Sequence, residues 1–258
     1  MHTTSEIGHF SPDSITIRGQ DLAKEILGKH DFVEVMHLCA VGRYPTEHEK
    51  NMIDALLVLS VDHGMTPSIL AARLTHVGAP EAIQAAVAAG LLGAGTVLLG
   101  VASHAARQFK KFSAGLTLAS SDEDVYQAAL DLCQEYKRSR AKILGFGHPI
   151  HKAGDPRVPP MRQMSKDNGY YRVNWRLADQ LENCLREMTG NSLALNAAGA
   201  SGAILADMDL DLTYGGGLAL IGRCAGLLGH LAEERKNPIA NDVWKMIAVS
   251  DSRNSFPE

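Results

Sequence analysis

Helix-start and helix-stop signals recur along the 258-residue chain and constrain its fold more than any other feature. Asp31 precedes an apolar stripe that ends at Gly42, and Thr46 is followed three residues later by Glu49, which is the pattern of a capping box. Apolar residues between such signals recur with the 3.6-residue period of helices, whereas runs with the two-residue period of strands are scarce. The sequence therefore predicts an all-α fold.

The same signals predict most of the remaining helices, and the low aromatic content of 5% favours helix–helix packing over a β-sandwich. Residues 1–18 are expected to be a loop or extended, and the acidic turn with Asp207, Asp209 and Asp211 is expected to be solvated surface. The further predicted helices are 21–28, 67–75, one that begins at Pro80, 104–112, one capped by residues 120–124, 174–190, 193–206 and 218–236.

Charge, cysteine usage and hydropathy exclude several classes of protein. A net charge of −4 argues against nonspecific nucleic-acid binding, which needs a basic face. The four cysteines, in no CxxC spacing, are typical of free thiols in a reducing compartment. The apolar segment 84–103 is rich in Ala and Gly and is expected to be a buried helix, broken at glycines, and not a membrane span. With no secretion signal apparent, the chain is predicted to be soluble and cytoplasmic.

The stretch GFGHPIHKAGDPR, residues 145–157, carries the densest chemistry in the chain. A metal site would use His148, His151 and Asp155, but two histidines three residues apart are a weak signal and Pro149 keeps them off one regular helix. A phosphate loop would use the glycine amides with Lys152, but the Walker spacing and the preceding strand are missing.

A third interpretation of this stretch is an acid–base centre. His148 would exchange a proton, Arg157 would bind a carboxylate through its planar fork, and the prolines would stiffen the loop. An ordinary Gly-His-Pro turn without chemistry is the remaining alternative. The residues of the stretch alone leave these interpretations open.

Together with five other segments, GFGHPIHKAGDPR resembles the citrate synthase family, including the citryl-CoA lyase module of ATP-citrate lyase. The family signature runs Gly-aromatic-Gly-His, a spacer with a basic residue, and Asp-Pro-Arg. The other similar segments, in the same order, are ITIRGQDL (15–22), FVEVMHLCAVGRYPT (32–46), LLVLSVDHGMTPSILAAR (56–73), LNAAGASGAI (195–204) and ALIGRCAGLLGHLAEE (219–234).

The resemblance implies a dimeric all-α fold with a large domain and a small closing domain. The large domain would comprise residues 1–102 and 207–258, and the small one residues 103–206 with the loop. The implied substrates are a coenzyme A thioester and a di- or tricarboxylate, with no metal and no tightly bound cofactor. The residues to which the resemblance gives roles are His148 and His63 at the reacting oxygen, Arg157 and Arg223 at carboxylates, Lys152 at the coenzyme A phosphates, and Gly145, Phe146 and Gly147 at adenine.

Two positions depart from the family pattern. Synthases carry a histidine where this chain has Leu99, and lyase modules also lack it, which favours the lyase branch. At the position of the family's carboxylate base this chain has Ala198, whose methyl group cannot transfer a proton. His104, downstream of Leu99, is expected to be a surface histidine, and His151 is expected to be incidental.

Three functions are consistent with this pattern. The first is a citryl-CoA lyase-like enzyme that cleaves a 3-hydroxyacyl-CoA into oxaloacetate or a related keto acid and acetyl-CoA or another acyl-CoA, with a separate CoA ligase supplying the thioester. The second keeps the fold but accepts an altered acyl group or reaction. The third is a catalytically impaired homologue that binds CoA esters.

Overall fold

Helices dominate the structure, a computed structural model in which residues 3–97, 99–148, 150–190 and 193–255 are described. The all-α prediction is confirmed, while Pro149 lies outside the described residues. A three-stranded antiparallel sheet of β1 (Gly8–Phe10), β2 (Ile15–Ile17) and β3 (Gln20–Asp21) and a π-helical turn (Leu22–Ile26) open the described part. The α-helices that follow are α1 (Phe32–Val41), α2 (Glu47–Ser60), α3 (Pro67–Gly78), α4 (Ile83–Leu92), α5 (Val101–Phe112), α6 (Asp122–Ser139), α7 (Val158–Asp167), α8 (Val173–Thr189), α9 (Ala197–Asp207), α10 (Leu212–Lys236) and α11 (Ala240–Ser250).

The predicted capping signals of the first helices are confirmed in atomic detail. The Asp31 carboxylate accepts the Glu34 amide at 3.0 Å, and the Glu34 carboxylate accepts the Asp31 amide at 3.0 Å. Thr46 and Glu49 form the same reciprocal pair at the start of α2. Gly42 ends α1 in the left-handed conformation at φ 88°, which glycine adopts without strain.

Several helix boundaries differ from the predicted ones for local reasons. The segment after Asp21 forms a π-helical turn in place of an α-helix, and Asn196 caps α9, so that helix begins at Ala197 and not at 193. Helix α7 was not predicted because Pro159 and Pro160 look like loop residues. They stand in its first turn, where their missing N–H groups have no helical partner to lose.

The prediction that Asp207 is solvated surface is wrong. Its side chain is buried and accepts the backbone amides of Arg172, Asn174 and Trp175 at 2.9–3.0 Å, which caps the N-terminus of α8. Asp209 is exposed and pairs with Lys110, as expected for a surface residue. The long-range capping role of Asp207 could not be read from the acidic turn in which it stands.

Small residues allow the helices around the site to approach closely. A Cβ on Gly202 of α9 would lie 2.7 Å from the Ala105 side chain of α5, so these two helices pack almost backbone to backbone. Gly222 and Gly226 of α10 lie directly against the carbonyl groups of Leu57 and Val61. These contacts place α9 against α5 and the middle of α10 beside the end of α2.

The apolar segment 84–103 is interrupted, as its glycines predict. The expectation that it is buried is wrong, because only Ala86, Gly90 and Ala94 of its described residues are buried and Leu92 is 86% exposed. Helix α4 ends at Leu92 and is capped by Gly93, and α5 begins at Val101. Within the described ranges, no helix is both long and apolar enough to cross a membrane. All four cysteines carry free thiols. The division of the chain into a large and a small domain stays a prediction.

We expect Asp207→Ala to lower the free energy of unfolding by about 2–4 kcal/mol, because three amides in a buried helix start lose their acceptor. Chemical denaturation monitored by circular dichroism measures this change. Asp209→Asn is the control and should have little effect, because its partner Lys110 is a surface residue and asparagine tolerates the φ of 54° at this position. Equal effects of the two substitutions would contradict the capping role.

Candidate active site

A cavity of about 540 Å³ lies between the end of α2, the loop that precedes α7, the start of α9 and the middle of α10. Its ionisable lining residues, among those described, are His63, His148, Arg157 and Arg223. The four residues that the resemblance places at the reacting oxygen and at the carboxylates therefore meet in one cavity. Apolar side chains form much of the remaining wall, with Leu56, Leu59, Val97, Leu99, Val101, Ala102, Ala197, Ala198, Leu205 and Leu218 among them.

Backbone hydrogen bonds fasten the glycine-rich loop to the start of α9. The Gly145 carbonyl accepts the Asn196 amide at 2.9 Å, and the Gly147 amide donates to the Ala194 carbonyl at 2.8 Å. The Asn196 side chain donates to the Gly147 carbonyl at 2.6 Å. Gly145 has φ 91°, and a Cβ there would lie 2.5 Å from the Gly199 Cα. Glycine is required at Gly145 both by its conformation and by this close approach.

Asp155 is a buried carboxylate that joins the loop to α9 and orients Arg157. It accepts Arg157 Nε at 2.9 Å and Nη2 at 2.8 Å, and it accepts the Ala197 amide at 2.9 Å. Burial opposes ionisation of this carboxyl group, but the hydrogen bonds from Arg157 and Ala197 prevail and hold the pKa of Asp155 well below its usual range. The guanidinium of Arg157 is thereby held at the cavity wall.

The tautomer of His148 follows from its hydrogen bonds. Its Nδ1 accepts the backbone amides of Ile150 and His151, each at 3.1 Å. A nitrogen that accepts two N–H groups carries no proton, so the proton of the neutral ring lies on Nε2. Burial, the neighbouring His151 and Arg157 lower the pKa of His148, which keeps the ring neutral. His148 is therefore a neutral donor through Nε2.

Three imidazoles gather at this position. The ring centroid of His148 lies 4.5 Å from that of His151 and 5.5 Å from that of His63, and one nitrogen of each ring lies within 4.8 Å of the others. Such a cluster could hold a cation by spacing alone. A histidine ligand, however, normally donates its second ring N–H, whereas His148 Nδ1 accepts two amides. This set of donors does not favour a metal ion. That the protein holds no metal stays a prediction.

Arg223 presents a buried guanidinium to the cavity. It is 5% exposed, and its Nε and Nη1 have no hydrogen-bond partner among the described residues. The nearest carboxylate oxygen is that of Asp62, at 4.0 Å from Nη1. Burial lowers the pKa of Arg223, and an anion bound in the cavity would offset this desolvation. A guanidinium at a cavity wall with no close carboxylate partner is the type of group that can bind an anionic ligand.

Asp62 belongs to a hydrogen-bonded chain that fixes the turn carrying His63. One Asp62 oxygen accepts His230 Nε2 at 2.8 Å, and the other accepts the Gly64 amide at 3.1 Å. His230 Nδ1 in turn accepts Arg73 Nη2 at 2.9 Å. The buried Arg73 is balanced by Glu233 and Glu234. The position of His63 therefore depends on contacts made well outside the cavity.

The predicted coenzyme A contacts lie at different depths. Gly147 lines the cavity, whereas Gly145 is buried against α9 and Phe146 pairs with Leu195 in an isolated β-bridge. Lys152 is exposed at the surface of the loop. Their contacts with coenzyme A stay predictions.

Leu99 and Ala198, the two positions that depart from the family pattern, both line the cavity. The lining residues among those described include no carboxylate. The acid–base groups that this cavity offers are therefore imidazoles.

The sequence interpretation missed three contributors to the site. The backbone amide of His151, which donates to His148 Nδ1, was not anticipated, Asp155 was considered only as a metal ligand, and His230 was not considered. That the His151 side chain is incidental stays a prediction. The Asp-Pro-Arg motif could have identified Asp155, since a carboxylate two residues before an arginine can reach its guanidinium. The chain contains no local signal for His230, because Asp62 lies far away in sequence.

The matched family model is the citrate synthase C-terminal domain, which covers residues 14–245. The solved citryl-CoA lyase of Hydrogenobacter thermophilus is 30% identical with a TM-score of 0.78, and the alignment covers 90% of this chain and 86% of that one. The ATP citrate lyase of Methanothrix soehngenii, solved with citrate and coenzyme A, is 22% identical with a TM-score of 0.73, over 92% of this chain and 39% of that one.

Among curated proteins, Citrate synthase 2 of Bacillus subtilis (strain 168) is 23% identical over 204 residues, which are 76% of this chain and 50% of that protein. The chain thus spans about half the length of this relative. The family model matches nearly the whole chain, from β2 to α11, and includes every residue that lines the cavity. The chain belongs to the citrate synthase family.

Proposed function

We propose that the protein is a citryl-CoA lyase-like enzyme that cleaves a citryl-CoA-type 3-hydroxyacyl-CoA into oxaloacetate, or a related keto acid, and acetyl-CoA or another acyl-CoA. The observation that carries this proposal is the meeting of a neutral histidine donor, His148, with the Arg157 and Arg223 guanidiniums in one apolar cavity. The likeness to a solved citryl-CoA lyase of comparable length supports it.

In this cleavage the tertiary hydroxyl loses its proton while the bond between C2 and C3 of the acyl chain breaks. His148 Nε2–H donates a hydrogen bond to that oxygen as negative charge develops on it, which stabilises the transition state. In this proposal His63, which lines the same cavity, accepts the proton. Arg157 and Arg223 bind the carboxylates and fix the orientation of the breaking bond.

The electron pair of the broken bond passes to the thioester as an enolate, whose carbon then takes up a proton. Leu99 and Ala198 offer no group for this step, so the proton comes from water or from an imidazolium. The loss of a positioned acid–base group typically slows a reaction by about 10²–10⁴-fold. Turnover is accordingly expected to be slow in the condensation direction, which must remove a proton from that carbon.

The proposal includes the assembly and the partners that the family suggests. The thioester is a substrate, with Lys152, Gly145, Phe146 and Gly147 as its contacts and no tightly bound cofactor. The ATP citrate lyase of Methanothrix soehngenii was solved with coenzyme A and citrate, which supports these ligand classes. We further propose a cytoplasmic homodimer or larger homo-oligomer, a small domain of residues 103–206 that closes over the substrate, and a separate CoA ligase.

The direct experiment is incubation of the purified protein with citryl-CoA, with oxaloacetate and acetyl-CoA quantified by mass spectrometry. The lyase proposal requires both products in equal amounts. Binding of the thioester without turnover would support the catalytically impaired homologue, and turnover of another 3-hydroxyacyl-CoA alone would support an altered acyl group. Absence of both binding and turnover would exclude all three.

We expect His148→Ala to reduce kcat for cleavage by about 10²–10⁴-fold, because the hydrogen bond to the developing oxyanion is lost. Binding of the thioester, measured by calorimetry, should persist. His104→Ala is the matched control, since His104 is an exposed histidine on α5 outside the cavity. Retention of full activity by His148→Ala would rule out its role as donor.

We expect kcat/KM for cleavage to fall on the acid side with an inflection below pH 6.5, the usual pKa of histidine being about 6.5. Burial and the neighbouring Arg157 lower the pKa of His63, and burial and His151 lower that of His148, so both rings stay neutral to lower pH. At pH values below this inflection His63 is protonated and can no longer act as the base, so kcat/KM falls. A pH profile with its acid inflection at or above pH 7 would contradict neutral imidazoles in the free enzyme.

We expect Ala198→Asp to accelerate exchange of the acetyl-CoA methyl protons with deuterated water by tenfold or more, because it places a carboxylate base in the cavity. Proton NMR of the thioester measures this exchange. Ala198→Asn has the same shape without a base and serves as the matched control. Equal exchange rates in the two variants would show that position 198 does not face the reacting carbon.

A further inference from the structure

The Asp62 carboxylate lies between two nitrogen donors of α10. Its Oδ1 accepts His230 Nε2 at 2.8 Å, and the same oxygen lies 4.0 Å from Arg223 Nη1. The two donor residues are separated by about two turns, or about 10 Å along the helix axis. Gly226 stands between them and packs against the Val61 carbonyl, which fixes the turn after α2 at this point of α10. One carboxylate oxygen is therefore adjacent to both donors and is hydrogen-bonded to only one of them.

Arg73 determines which nitrogen of His230 carries the proton. Arg73 Nη2 lies 2.9 Å from His230 Nδ1, and a guanidinium only donates, so Nδ1 is the acceptor and Nε2–H is the donor to Asp62. The Arg73 side chain is 1% exposed and is also paired with Glu233 and Glu234. His230 is thus fixed from behind by a buried guanidinium and directs its one N–H at Asp62.

The bond to His230 leaves Arg223 without a hydrogen-bonded carboxylate. Nε and Nη1 of Arg223 are buried and have no hydrogen-bond partner in the described part of the chain. Burial opposes ionisation of Asp62, but the hydrogen bonds from His230 and Gly64 prevail and keep the pKa of its carboxyl group below the usual value. A shift of Asp62 by about 1 Å would bring this anion to the distance of about 2.8 Å that a charge-assisted hydrogen bond to Arg223 requires.

We propose that His230 is a positioning residue that holds the Asp62 carboxylate away from Arg223 and thereby keeps this guanidinium free for a carboxylate of the substrate. The inference rests on the proposed role of Arg223 as a carboxylate-binding group of the cavity. Every incoming substrate would have to break an ion pair between Asp62 and Arg223, which reduces the apparent affinity by the fraction of protein that is open. His230 therefore acts on substrate binding and not on the chemical step.

A double-mutant cycle on citrate binding, measured by calorimetry, tests this role. His230→Phe keeps a planar ring but removes the N–H, and we expect it to raise the Kd for citrate by about 10–100-fold, the contribution of one charge-assisted hydrogen bond. In an Asp62→Asn background no charge competes for Arg223, so the same substitution should change Kd by less than about threefold. In cleavage of citryl-CoA, His230→Phe should raise KM much more than it lowers kcat.

Two further variants serve as controls. In His230→Gln the side-chain amide replaces the lost N–H donor, and we expect this variant to retain its affinity for citrate. His30 pairs with Glu34 at 3.1 Å in the same kind of contact, beside α1. His30→Asn should therefore leave citrate binding unchanged, because that pair has no guanidinium of the cavity to release.

The cycle separates the positioning role from a structural one. Equal losses of affinity in the wild-type and Asp62→Asn backgrounds would show that His230 supports the fold and does not act through the charge of Asp62. Unchanged citrate binding in His230→Phe would show that Asp62 does not close on Arg223. If circular dichroism shows that His230→Phe is unfolded, His230→Asn replaces it in the cycle, because its shorter side chain also withdraws the donor from Asp62.

Failure of the proposed function gives different results. Equal citrate affinity of the wild-type protein and Arg223→Gln would refute the carboxylate-binding role of Arg223, and the inference with it. Absence of citryl-CoA turnover, with the predicted coupling between His230 and Asp62 present in citrate binding, would refute the lyase proposal and leave the positioning role supported.

Discussion

The Asp155 carboxylate is the interaction on which the rest of the site depends. It holds the Arg157 guanidinium through two hydrogen bonds and accepts the first amide of α9 through Ala197. A buried charge of this kind is stable only because it is fully paired. It ties the loop that carries His148 to the helix whose first turn lines the cavity. Removal of this carboxylate would free the Arg157 guanidinium and leave the Ala197 amide without its acceptor.

The scaffold around this interaction is built from helices that approach closely at glycines. Gly145 lies against Gly199, Gly202 against Ala105, and Gly226 against Val61, so loop, helix and turn are held at backbone contact distance. Close packing leaves little freedom for the groups that these elements carry. The imidazoles and guanidiniums of the cavity are therefore preorganised, which is a requirement for electrostatic stabilisation of a transition state.

The sequence predicted what is locally encoded. The caps at Asp31 and Thr46 were correct because their partners lie three residues away. The buried role of Asp207 was not predictable, since it depends on a helix that starts far from it in sequence. Similarly, the convergence of His63 with His148 came from the family resemblance, because no spacing rule joins residues on separate elements. The contact of the His151 backbone amide with His148 was not predictable either, because it depends on how the loop folds.

A crystal structure with coenzyme A and citrate tests directly whether His148 donates to the reacting oxygen while Arg157 and Arg223 hold carboxylates. We expect one carboxylate in contact with Arg223 and a second at Arg157, with the citrate hydroxyl within about 3.2 Å of His148 Nε2. Citrate bound with its hydroxyl away from His148, or with both carboxylates away from these arginines, would contradict these roles.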